Sequence, residues 1–85
     1  MTQQANTIDL NDISAQIAER INQEGLNGIT ASVDIKNEEI RVTLQGKVNT
    51  YYAKRLAQEV VFATLDANNI QFRLTGQLSN QIIVL

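Results

Sequence analysis

The chain has 85 residues, contains neither cysteine nor histidine, and carries a formal net charge of -2. Disulfide staples, Cys/His zinc sites and thiol redox chemistry are therefore excluded. The acidic balance argues against duplex DNA, whose binding rests on many Lys and Arg contacts to phosphate.

With 44% hydrophobic and 19% charged residues, the chain reads as an ordinary globular domain rather than a disordered one. A chain this short leaves much of its surface wet, so one thin core must carry its stability. Residues 1–8 are expected to form a flexible tail, and residues 9–85 one domain. Met1 to Thr7 lacks the basic start and apolar stretch of a secretory signal, and no apolar run approaches the length of a membrane span. The chain as given is therefore expected to be cytoplasmic, or periplasmic if a signal or a neighbouring domain has been removed.

Asp9 or Asn11 can cap a first helix, with Asp12 well placed near its positive end. Leu10, Ile13, Ile17, Ala18 and Ile21 recur at three- and four-residue spacing and form an apolar stripe. Gln16, Glu19, Arg20, Gln23 and Glu24 lie off it and should be solvated. Gly25 can end the helix in a left-handed conformation, and Gly28 precedes a strand.

From Ile29 the period becomes two. Ile29, Ala31, Val33 and Ile35 alternate with Thr30, Ser32, Asp34 and Lys36. After a turn at Asn37-Glu38-Glu39, Ile40, Val42 and Leu44 alternate with Arg41, Thr43 and Gln45. Two such runs around a short polar turn predict an antiparallel hairpin with one wet face.

Asn49 or Thr50 can cap a second helix from about Tyr51 to Leu65. Tyr52, Leu56, Val60 and Ala63 share a predicted inner face, flanked by Ala53, Ala57 and Thr64. One of Tyr51 and Tyr52 is expected to enter the core. Arg55 and Glu59 stand at i,i+4, a pair worth ~0.3 kcal/mol at a surface.

Asp66 to Asn69 reads as a turn. Ile70, Phe72 and Leu74 then alternate with polar residues, Gly76 interrupts, and Leu78 to Leu85 is extended. Whether 70–85 forms one bulged strand or two stays open. The fold class expected is α+β: a two-layer αββαβ sandwich, two helices on one face of a small mixed sheet, with room for one extra C-terminal strand.

Ile82, Ile83, Val84 and Leu85 are apolar on both sides of the last strand, and only alternate residues can reach the core. The other pair, assigned as Ile83 and Leu85, marks an edge where a second chain could join, so weak homodimerisation is expected.

Nothing in the sequence assembles an active site. The carboxylates are scattered, and Ser14, Ser32 and Ser79 have no histidine to activate them, so neither enzyme activity nor a metal or cofactor is expected. Asp34 with Glu38 and Glu39 lacks EF-hand spacing and reads as a solvated turn. Gly25-Leu26-Asn27-Gly28 matches the GxxG pattern with which KH domains grip RNA, but that loop joins two helices among basic residues, whereas this one stands between a helix and a strand beside Glu24. A helix stop followed by a turn is the simpler reading.

The outer sheet face should show Thr30, Ser32, Lys36, Arg41, Thr43, Gln45, Lys47, Gln71 and Arg73. It has no aromatic on which a base could stack, which disfavours an RNA platform. Arg41, Lys47, Lys54 and Arg55, with Tyr51 beside them, form the candidate site for an anion or lipid head group near the start of helix two.

The run from Ile40 through Gly46 and Val48 to Leu56 and Glu59 resembles a BON domain, the module named for bacterial osmotic-shock and nodulation proteins. Helix one with the first strand also fits, as does Leu78 to Val84. One departure is that no Gly stands at the end of helix two, and Ala67 to Gln77 is additional. The resemblance implies a non-enzymatic module that associates with anionic phospholipid surfaces or envelope macromolecules, with Gly46 as a structural position. Two alternatives stand beside it: a self-associating domain like the ring-building motifs of secretion systems, and, third, a KH-like RNA binder.

Overall fold

A computed structural model describes residues 9–37, 39–70 and 76–85. The elements follow as α1 (Leu10–Gln23), β1 (Ile29–Lys36), β2 (Glu39–Val48), α2 (Tyr51–Ala67) and β3 (Gln77–Val84). The fold is α+β: two helices packed with a three-stranded mixed sheet of order β1-β2-β3. β1 runs antiparallel to β2, with Val33 opposite Val42, and β3 runs parallel to β2, with Ile82 opposite Gly46. A parallel neighbour needs a crossover, which α2 supplies. The described part of the C-terminal segment holds one strand; the remaining positions that could extend it, 71–75, lie outside the described residues.

Both helices start and stop where local chemistry dictates. Asp9 caps α1, its carboxylate accepting from the Asn11 and Asp12 N–H groups at 3.0 and 3.2 Å. Thr50 caps α2 by accepting from the Ala53 N–H at 3.0 Å. Each helix ends by turning one residue left-handed, Gly25 at φ 77° and Asn69 at φ 61°. The residue after each then donates back to a carbonyl five positions earlier, Leu26 to Ile21 and Ile70 to Leu65. Asn69 thus does at the end of α2 what Gly25 does at the end of α1, and α2 continues past the predicted Leu65 to Ala67.

The core joins Ile13, Ile17 and Ile21 of α1, Ile40, Val42, Leu44 and Val48 of β2, Ala57, Val60, Val61 and Leu65 of α2, and Ile82 of β3. Thr64 is the one buried polar residue among those described, and its hydroxyl donates to the Val60 carbonyl at 2.8 Å.

Five expectations are corrected here. Ala18 is exposed, because the seam of α1 is narrower than its apolar composition. Ile35 is 47% exposed, near the hairpin tip. The inner face of α2 is rotated from the predicted one: Ala57, Val60, Val61, Thr64 and Leu65 are buried, while Ala63 is exposed. Neither tyrosine enters the core; Tyr51 and Tyr52 are 77% and 73% exposed. They occupy the first turn of α2, and the inward positions of that helix begin at Ala53 and Ala57. Gln16, expected in solvent, is partly buried and accepts from Asn68 Nδ2 at 2.9 Å, tying α1 to the end of α2.

Candidate functional site

The sheet shows its other face to solvent. Cross-strand partners point to the same side, so Thr30 with Gln45, Ser32 with Thr43 and Asp34 with Arg41 share the outer face of β1 and β2. β3 adds Gln77, Ser79, Gln81 and Ile83 beside Arg41, Thr43, Gln45 and Lys47. Gln45 donates to Gln81 Oε1 at 3.3 Å, and Gln81 donates to Ser79 Oγ at 3.0 Å. This face is amide- and hydroxyl-rich, with opposite charges set against each other at Asp34–Arg41 and Lys36–Glu39. Gln71 and Arg73, expected on it, lie outside the described residues.

The candidate anion-binding residues divide. Tyr51, Lys54 and Arg55 line a shallow surface hollow with Gln58 and Glu59 of α2 and Asn80 of β3. Asn80 lines it from β3, donating through Nδ2 to the Lys54 carbonyl at 3.2 Å and to Gln58 Oε1 at 3.4 Å. Lys47 projects from the outer sheet face at the same end of the molecule, where β2 ends and α2 begins. Arg41 does not join them. It sits six residues down β2, roughly 20 Å away at strand spacing, half-buried opposite Asp34, with an Nε that is shielded from solvent and has no hydrogen-bond partner.

The candidate association edge is ordered by the pleat. Ile82 is buried and Val84 partly so, whereas Ile83 and Leu85 are 55% and 73% exposed. Leu85 is held by its N–H, which donates to the Val48 carbonyl at 2.8 Å. Four of the exposed large apolar side chains, Tyr51, Tyr52, Ile83 and Leu85, therefore gather at the end carrying Lys47, Lys54 and Arg55. Tyr51 is exposed as the candidate site requires, whereas Tyr52, assigned to the inner face, is exposed too, because a helical wheel assigns a face without showing how far the sheet reaches beneath it.

The Gly25–Gly28 loop is a helix stop leading into β1, in line with its simpler reading. Among the described residues no group of three or more acidic side chains is arranged to hold a metal ion, and no helix is long and apolar enough to cross a membrane. No protein-family model, curated protein or solved structure matches the chain.

Proposed function

We propose that this chain is a non-catalytic binding module that docks on anionic phospholipid surfaces through the end of the fold where α2 begins. The observation that supports it is the gathering of Tyr51, Tyr52, Lys54, Arg55 and Lys47 at one end, the aromatics being more than two-thirds exposed. Amphipathic rings settle at the head-group level, and nearby cations are drawn to anionic lipid. A hollow of ≈ 500 Å³ beside Lys54 and Arg55 is roomy enough for one phosphate head group. Arg41, at the other end of β2, is left out of the contact. The resemblance of residues 40–60 to a BON domain points the same way.

Flotation with phosphatidylglycerol vesicles, against phosphatidylcholine vesicles, tests the reading. Binding to the anionic vesicles at low salt is expected, with loss in the Tyr51→Ala, Lys54→Ala, Arg55→Ala triple variant. Equal recovery of wild type and triple variant, or no recovery of wild type, overturns it.

A further inference from the structure

β3 is an edge strand: it pairs with β2 on one side, and no described element pairs with it on the other. The direction of its free groups can be read from two hydrogen bonds. The Leu85 N–H donates to the Val48 carbonyl, so odd-numbered residues turn their backbone groups to β2. The Ile82 N–H instead meets the side chain of Asn80, at 3.2 Å. Leu78, Asn80, Ile82 and Val84 therefore turn their backbone groups to the open side.

Edge strands are ordinarily protected by charge, proline, a bulge or shortness. β1, the other edge, follows that rule, with Asp34 and Lys36 exposed on it. β3 does not. Its eight residues, Gln-Leu-Ser-Asn-Gln-Ile-Ile-Val, include no charge and no proline, and Ile83 and the following Leu85 stand exposed on its outer side. The one device present is Asn80, which occupies a single edge N–H.

We infer that β3 is the contact through which two copies of this chain associate, antiparallel about a two-fold axis, joining two three-stranded sheets into one of six. A second copy fits because an uncharged strand meets no like-charge repulsion from itself, and because its Asn, Gln and Ser side chains can both donate and accept. The two-fold keeps Ile83 and Leu85 of both copies on the same outer face of the joined sheet, where side chains of the partner's β3 flank them. An eight-residue edge buries less than the about 800 Å² per partner of a standard interface, so the association is weak and set by concentration. It is read in solution without lipid and stands or falls apart from the membrane reading.

Sedimentation equilibrium over a series reaching about 1 mM protein tests it. The wild-type mass should climb from 9.5 kDa toward twice that value. Ile83→Lys with Leu85→Lys should hold it at the monomer value with an unchanged circular dichroism spectrum. Ser79→Lys, on the same outer side of β3, should do the same if the double variant folds poorly, while Ser32→Lys on β1 should associate like wild type. A wild-type mass that stays at 9.5 kDa throughout overturns the inference. So does undiminished association of the β3 variants, which would place the contact elsewhere.

Discussion

Gly46 of β2 stands against Gly28 at the entry to β1: a Cβ on Gly46 would run into the Gly28 carbonyl oxygen and lie 3.0 Å from the Ile29 Cα. Its φ of 139° is in addition one that side-chain-bearing residues rarely adopt. Gly46→Ala is therefore expected to lower stability by about 3 kcal/mol or more, combining a backbone clash with a strained dihedral. Gly25→Ala meets nothing within 4 Å and carries only the left-handed penalty, so it should cost about 1–2 kcal/mol. Urea denaturation of the two variants measures the difference.

Asn69 ends α2 in the conformation that glycine takes at the end of α1. Asn69→Ala is expected to cost about 1 kcal/mol, because alanine has no local hydrogen bond to offset the left-handed backbone. Asn69→Gly should stay within about 0.5 kcal/mol of wild type. Thermal unfolding of both, monitored by circular dichroism, checks the pair.

The rotated inner face of α2 has a direct consequence for mutagenesis. Leu65 is fully buried, so Leu65→Ala should cost about 2–5 kcal/mol. Tyr52, at 73% exposed, should lose less than about 0.5 kcal/mol on conversion to alanine. Equal losses at the two positions would contradict the packing of the helix.

These positions also show how far the sequence could be read. α1 alternates apolar and polar residues around its wheel, so Ile13, Ile17 and Ile21 point to the core without help from tertiary structure. The hairpin was equally legible, because a period of two leaves its residues only two faces. α2 was not. Tyr51, Tyr52, Ala53, Leu56, Ala57, Val60, Val61, Phe62 and Ala63 are distributed over most of its circumference, and what selects Val61 and Leu65 over Ala63 is where the sheet and α1 lie. The basic group suffered from the same blindness: Arg41 and Lys47 share an outward parity on β2, but parity carries no information on distance along the strand. Ile83 and Leu85 were legible as a pair because once one parity reaches the core the other must face out.

Contact with anionic lipid should weaken with salt. About 1 kcal/mol for each of Lys47, Lys54 and Arg55 near the surface, screened over about 10 Å at 0.1 M salt, gives weak binding. Vesicle recovery is expected to fall steeply between about 50 and about 500 mM salt, and Arg41→Ala should leave the curve unchanged. A curve flat in salt would mean that insertion of the tyrosines, rather than charge, holds the protein.

Asn80 restrains the open side of β3 by accepting from the Ile82 N–H while anchoring to Lys54 and Gln58. Asn80→Val frees that N–H for a partner strand. Self-association should tighten about fivefold, the equivalent of one hydrogen bond of about 1 kcal/mol. Sedimentation of the variant beside wild type reads this directly, and weaker association would identify Asn80 as part of the contact instead of its brake.

The central place of β2 imposes an order of folding. Its antiparallel neighbour β1 comes just before it in the chain and can zip onto it across a short turn, whereas β3 reaches it only after α2 has been laid down. Contacts between residues so far apart in sequence form late, since the intervening chain must first be ordered. During that interval β2 has one bare side, and Val42 and Val48 lack the neighbours Leu78 and Val84 that β3 sets opposite them. A nascent or cleaved chain that holds α1 through α2 but lacks β3 therefore has a sticky central strand in place of a finished sheet, and aggregation of such fragments is the failure to which this topology is most exposed.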